Sequence, residues 1–361
     1  MNQRERFKRV MRFEPVDRVP FWDYGYWKEN IEVWQKEGLP NLVTHIEEFF
    51  GIEEWTYVPA HAGMCPGFDL QIIEEDERSR LIRDRSGIVK RESKVSSSIP
   101  QFVDFPLKNR KDWEALRERF DPSTPDRFPE DWTEQVKILN RETRPLFIGV
   151  DGFFWQLRQL CGLQGLSMLL YDDPELILDI QEHTTKTRLA IIGRALEEVR
   201  VDGAWVSEDM ACNKGPLLSP AMYRRFILPF YKQLTALLAD FGVDIVVVDS
   251  DGNVNELVPL FIESGVTAAM PFEVRAGNDI REVRRKCPRF GIIGGIDKMK
   301  LIQGREAIDL ELAKMKELLP LGGFIPTVDH RVPPDVPYAN YVYYLKEKWR
   351  IIHDARSYVS L

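Results

Sequence analysis

Short apolar runs and amphipathic stretches alternate along this chain, most regularly after residue 145. Leu146-Phe-Ile-Gly-Val leads to Asp151, and Gly203-Ala-Trp-Val-Ser leads to Glu208-Asp209. Ile245-Val-Val-Val runs into Asp249-Ser-Asp251-Gly-Asn. Val266-Thr-Ala-Ala-Met-Pro, Phe290-Gly-Ile-Ile and Gly323-Phe-Ile-Pro-Thr-Val lead to Glu273, Asp297 and Asp329-His330. Short runs rich in β-branched residues are what strands buried on both faces of a parallel sheet require. Helical spacing follows nearly every run. Asp172-Asp-Pro-Glu marks one helix start, with Pro174 at its first position, and Ser219-Pro220 marks another.

The N-terminal part is less regular. Phe7, Val10 and Met11 give helical spacing between Arg4 and Arg12, and Pro15 ends it. Arg18-Val-Pro-Phe-Trp-Asp-Tyr-Gly reads as a first strand ending near Asp23 and Tyr24. A Trp-rich helix around Trp27 to Trp34 and a second from about Leu42 to Phe50 follow. Trp55-Thr-Tyr-Val then empties into His61-Ala-Gly-Met-Cys-Pro-Gly. Residues 69–95 read as a β-hairpin excursion, and residues 106–144 as a charged connector with one helix around Lys111 to Phe120. Counting from Val19 gives eight strands. The expectation is one α/β domain over residues 1–361, a (β/α)8 TIM barrel with an N-terminal helical extension. An open doubly wound sheet is the alternative, but no GxGxxG or Walker motif supports it.

Composition narrows the class. Apolar residues make up 44% and charged residues 29% of the chain, a globular balance. A net charge of -8 argues against a nucleic-acid partner. No run approaches the ~18 apolar residues of a membrane span, and the polar start, Met1-Asn-Gln-Arg-Glu-Arg, offers no signal-peptide core. Cys65, Cys161, Cys212 and Cys287 form no CxxC pair, which favours a reducing cytoplasm and inert packing roles.

In a barrel the strand ends meet at one mouth. Asp23, Tyr24, His61, Asp151, Glu208, Asp249, Asp251, Glu273, Asp297, Asp329 and His330 would then line an acidic funnel, with Lys214, Arg275, Lys298 and Arg331 as candidate cations. Such a mouth suits a cation or a hydroxylated substrate better than a polyanion. Asp249 and Asp251 share parity, so an extended backbone aims both the same way, and with His330 they could hold a divalent ion. The bland alternatives are specific too. Asp249 caps a helix, Asp251-Gly-Asn makes a turn, and His330 shapes the Pro333-Pro334 loop. Asp151 and Glu208 are substrate acceptors or strand-end caps. Asp251, His330 and Asp249 are the catalytic candidates; Tyr24, His61, Asp151, Glu208, Glu273 and Arg331 are the substrate-binding ones.

The Asp251-Gly-Asn turn, Phe290-Gly-Ile-Ile-Gly-Gly-Ile-Asp297 and Gly322-Gly-Phe-Ile-Pro-Thr-Val-Asp-His-Arg-Val-Pro-Pro334 together resemble the uroporphyrinogen decarboxylase superfamily. Arg4-Glu-Arg-Phe-Lys-Arg-Val with Pro15-Val-Asp-Arg-Val-Pro20 is similar to its N-terminal signature. The resemblance spans nearly the whole chain and implies a (β/α)8 barrel. It also exposes departures. True decarboxylases carry an Arg-Gln-Ala-Gly-Arg motif after the first strand, where this chain has Phe21-Trp-Asp-Tyr-Gly-Tyr-Trp27. Their essential aspartate after the second strand is replaced by the Ala60-His61-Ala-Gly loop.

The other branch of the superfamily is the corrinoid-linked methyltransferases. Thiol-methylating members bind zinc through His-x-Cys after the fifth strand and a Cys after the eighth. Those positions fall on Asp249-Ser-Asp251 and near His330, so no thiolate ligand survives and zinc is disfavoured. The resemblance therefore implies a substrate:corrinoid methyltransferase, with O-demethylation of a small methoxylated compound as one form. Its partners would be a small methyl donor and a corrinoid-binding protein, with a divalent metal at Asp249, Asp251 and His330 as a further expectation. The alternatives are a decarboxylase-like carbon–carbon lyase and a non-catalytic corrinoid or tetrapyrrole binder.

Overall fold

The computed structural model describes residues 1–43, 45–95 and 99–354. Seven strands form one parallel sheet: β1 (Thr56–Val58), β2 (Leu146–Asp151), β3 (Gly203–Ser207), β4 (Val246–Asp249), β5 (Ala268–Met270), β6 (Gly291–Ile293) and β7 (Phe324–Ile325). They pair in chain order, as successive right-handed βα units dictate. In the register of the ladder, Asp151, Ser207, Asp249 and Met270 lie side by side across β2 to β5. That row is the rim of the mouth.

The first predicted strand forms no ladder. Residues 18–27 run extended between β7 and β1 and fill the eighth place of the (β/α)8 barrel with isolated bonds. The Glu53 N–H donates to the Phe21 carbonyl at 2.9 Å, and Tyr26 bridges Val332 in parallel. Pro20 has no N–H to give a ladder, and the Val328 N–H goes to the Asp23 side chain at 3.2 Å instead of a main-chain carbonyl.

Helix α1 (Gln3–Met11) is the N-terminal extension and plugs the far end of the barrel. Phe7 stacks on Trp22 at 5.3 Å and meets Phe147 edge-on at 5.0 Å. Helices α2 (Phe153–Asp172) and α3 (Pro174–Glu198) follow β2. Pro174 does open α3, and the Asp173 carboxylate accepts the Leu176 N–H at 3.1 Å as its cap. Helix α4 (Leu228–Asp240) backs β3, and α5 (Tyr338–Asp354) closes the chain. No helix of the described residues is long and apolar enough to cross a membrane.

Two expectations for the middle of the chain change. The excursion is a four-stranded antiparallel meander, Gln71–Glu75, Ser79–Arg83, Val89–Ser93 and Gln101–Asp104, so it extends beyond residue 95. The charged connector is part of the core. Trp113, Phe120, Phe128 and Trp132 are all buried, and Trp113 and Trp132 anchor through indole bonds to Asp179 (3.0 Å) and Glu198 (2.8 Å). Most of its charges face water while its aromatic residues carry the packing, but Arg127 is buried and donates to the His61 and Arg119 carbonyls at 3.2 and 2.9 Å.

Candidate active site

The turn after β4 is held on every side. Gly252 has φ +83°, and a Cβ there would lie 2.7 Å from the Ala211 carbonyl carbon, so only glycine fits. Its N–H donates to Glu273 at 2.9 Å, and its carbonyl accepts from the Asn278 amide at 2.8 Å. Ser250 is buried between its N–H bond to the Met270 carbonyl (3.0 Å) and its hydroxyl, which accepts the Met210 N–H at 3.1 Å. Sequence order thus delivers a rigid loop with Asp249 and Asp251 on either side of a buried serine.

Asp251 reaches across the mouth to His330, with Oδ2 at 3.5 Å from Nε2. Its other oxygen, Oδ1, is buried and has no hydrogen-bond partner among the described residues. A buried acceptor left open in this way is a place for a ligand donor. Tyr24 stacks on the His330 ring at 5.1 Å, and Trp27 lies 6.5 Å from it. Arg331 is exposed and sits over Trp27 at 5.6 Å. The predicted group of Tyr24, Asp249, Asp251, His330 and Arg331 is therefore one constellation.

Asp209 belongs to it as well, although Glu208 is the residue the sequence offered. Asp209 adopts φ +48°, rare for a side-chain-bearing residue, and its Oδ1 accepts the Asp251 N–H at 3.4 Å. Three carboxylates now share the rim: Asp209, Asp249 and Asp251. Burial raises the Asp249 carboxyl to about 7, reinforced by Asp251 and Asp209 and opposed by the Trp205 indole at 3.4 Å. Burial and the Asp251 charge raise Asp209 too, against Arg158 at 3.9 Å. Burial, then Asp249 and Asp251, hold the Tyr24 hydroxyl far above its usual range. This is a site with a protonated carboxylic acid available near neutral pH.

Other predicted site residues do different work. Glu208 is fully buried and accepts the Phe153, Phe154 and Trp155 N–H groups at 2.9, 3.0 and 3.2 Å, plus the Tyr231 hydroxyl at 2.7 Å. It caps α2 and does not face substrate. Glu273 holds the Gly252 turn and faces Lys298 at 3.7 Å. Asp329 is buried against the Val274 and Lys298 N–H groups at 2.8 and 3.0 Å, which fixes the backbone just before His330. Lys298 and Arg275 are taken up by Asp329 (3.4 Å) and Asp297 (3.6 Å). Cys212 is exposed, not packed, whereas burial pushes the Cys161 thiol to about 12.

His61 and Asp151 form a second group, one strand beyond Ser207 from Asp249. A Cβ on Gly63 would stand 3.0 Å from Asp151 Oδ2 and 3.2 Å from His61 Cε1, so both flank that glycine. They line a cavity of about 620 Å³ between the β1 loop and the meander.

The metal expectation does not fit. Among the described residues, no three His, Cys, Asp or Glu side chains are grouped so as to hold a metal ion.

Residues 93–347 match the family model for uroporphyrinogen decarboxylase (URO-D). The chain belongs to the URO-D family. Uroporphyrinogen decarboxylase of Streptomyces coelicolor is 26% identical over 346 residues, covering 91% of this chain and 89% of that protein. The same enzyme of Syntrophotalea carbinolica is 25% identical over 249 residues, covering 66% of this chain and 68% of its own. Among solved structures, a methyltransferase from Methanosarcina mazei superposes with a TM-score of 0.60 at 14% identity, over 97% of this chain and 99% of that one. At that identity the likeness speaks for the shared fold of this URO-D member.

Proposed function

We propose that this URO-D family member is a cytoplasmic methyltransferase that moves a methyl group from a small methylated compound to a corrinoid carried by a partner protein. The observation that carries this reading is the Asp209, Asp249 and Asp251 cluster facing His330, with Asp249 titrating near 7. Removing a methyl group from oxygen or nitrogen needs a proton donor at the departing heteroatom. The carbon–heteroatom bond breaks with its electron pair left on the heteroatom, and that atom takes a proton. A neutral Asp249 carboxyl supplies the proton, while Asp251 holds the His330 imidazole beside it. The open Oδ1 of Asp251 receives a ligand donor.

The corrinoid supplies the nucleophilic metal centre that accepts the methyl group. The solved methyltransferase of Methanosarcina mazei lends the fold precedent.

The test is incubation with a reduced corrinoid carrier protein and a panel of methoxyarenes and methylamines. The expected result is the absorbance change of corrinoid methylation with at least one donor. No change with any donor overturns the proposal. The names of the curated relatives support a second reading, decarboxylation of a porphyrinogen. That reaction needs a cationic sink for carboxylates, and here Lys298 and Arg275 are already paired, which leaves Arg331 as the cation beside His330. Carbon dioxide release from uroporphyrinogen would establish it.

A further inference from the structure

The cavity beside His61 continues into a smaller recess of about 300 Å³, lined in part by Trp155, Gln156, Phe120 and Leu160, with Gly63 and Asp151 common to both. Behind the recess lies Arg188 on α3, fully buried and with no carboxylate within ion-pair distance among the described residues. Its guanidinium packs over the Phe153 ring at 4.4 Å and donates to the Gln156 Oε1 at 2.7 Å. A guanidinium has only donors, so this bond fixes which end of the Gln156 amide faces which way. The oxygen points back to Arg188 and the nitrogen is left for the recess. Gln156 is only 6% exposed, and its Nε2 has no acceptor among the described residues.

Asp151 supplies the complement. It is exposed at the end of β2, and its carboxylate has no hydrogen-bond or ion-pair partner among the described residues. A donor and an acceptor thus face one recess whose other walls are mostly apolar, Met64, Phe120, Trp155 and Leu160, with Ser86 and Gln159 as further polar residues. A hydroxyl satisfies both groups, accepting from Gln156 and donating to Asp151. A carboxylate would accept from Gln156 but bring a second negative charge beside Asp151, whose own charge already acts on Arg188. From strand spacing, Asp151 lies roughly 10 Å from Asp249 along the rim, two strands away. One small molecule can therefore span both.

We propose that this recess is a specificity subsite for a neutral hydroxyl on a flat apolar body, with Gln156 and Asp151 as its ligands and Arg188 as the residue that orients Gln156. It rests on the proposed function, and names what the substrate carries away from its methyl group. A buried donor such as Gln156 discriminates against analogues that leave it unpaired, and the exposed Asp151 adds a second, weaker preference.

The test is calorimetric titration of the full chain, without corrinoid, with 4-methoxyphenol, 4-methoxytoluene and 4-methoxybenzoate. The phenol should bind about tenfold more tightly than either of the others, the size of one or two well-made hydrogen bonds. Gln156→Glu keeps the oxygen that Arg188 binds but removes the donor, and should abolish the preference; Asp151→Asn should weaken it. Arg188→Met should behave like Gln156→Glu, read only where its melting transition matches the wild type. Equal binding of phenol and toluene, a preference that survives Gln156→Glu, or no binding of any probe overturns the subsite. Because no methyl transfer is measured, a chain that shows the preference yet methylates no corrinoid would sink the function and leave the subsite standing.

Discussion

His330 Nε2 stands 3.5 Å from Asp251 Oδ2, joining the end of β7 to the end of β4 across the barrel mouth. Neither residue is near the other in sequence. Both are held by their neighbours. Asp329 fixes the backbone before His330, while Glu273 and Asn278 fix the turn that carries Asp251. The pair is thus built as a preorganised unit, with one carboxylate oxygen still open.

If that pair serves proton transfer and orientation, His330→Ala and Asp251→Asn should each lower kcat/KM for methyl transfer about 100-fold, within the range of acid–base groups. Tyr24→Phe keeps the stacked ring and should cost little. Steady-state rates with a fixed corrinoid carrier check this. A Tyr24→Phe loss as large as that of His330→Ala would move the chemistry to the phenol.

Asp249 sets the pH dependence. Its carboxyl titrates near 7 in the folded chain, against about 4 when unfolded, because burial and then the Asp251 charge disfavour ionisation. The folded state therefore binds this proton more tightly than the unfolded state. Ionisation above pH 7 costs stability, and that cost disappears as pH falls from 7 towards 4. Asp249→Asn should raise the melting temperature relative to wild type at pH 8 and much less at pH 5. The wild-type kcat/KM should decline as pH rises through 7, as the acid form is lost. Thermal melts and rates at both pH values test the two halves separately.

The sequence revealed the barrel because strand burial leaves a pattern: runs such as Ile245 to Val248 are apolar whichever face is counted. It revealed the mouth because polar residues end those runs. It could not show which polar residues turn inward. Glu208 and Asp209 are adjacent, and their roles divide on one backbone angle, the left-handed φ of Asp209, which no residue pattern announces. The first strand failed for a similar reason. Its residues are strand-like, but the Asp23 side chain takes the Val328 N–H that a ladder would have used. The metal expectation rested on the shared parity of Asp249 and Asp251 and on resemblance, and neither could show that no three such side chains are grouped among the described residues.

Glu208 tests the division of labour at the end of β3. It receives three helix N–H groups and a tyrosine hydroxyl in a fully buried setting. Glu208→Ala strips the start of α2 of its acceptor and should cost about 3 kcal/mol, combining a lost cap with unsatisfied buried donors. Glu208→Gln, with one acceptor oxygen remaining, should cost roughly half of that. Denaturant midpoints measure both. Unchanged stability with a raised KM would return Glu208 to the substrate-binding set.

Lys348 on α5 tests how the opposite wall is held. Both Lys348 and Asp23 are buried, 3.3 Å apart, and the Tyr341 and Tyr344 hydroxyls donate to the same carboxylate at 2.9 and 3.0 Å. Asp23 also takes the Val328 N–H and precedes Tyr24, so this buried pair positions both Tyr24 and the strand end leading to His330. Removing one partner leaves an uncompensated buried charge. Lys348→Met should therefore cost about 3–5 kcal/mol, whereas replacing both residues, with Asp23→Asn, should recover most of that loss. Urea denaturation of the two single variants and the double variant gives the coupling directly. Additive losses would mean that the two residues act independently, and that α5 does not hold Tyr24 and His330 through this pair.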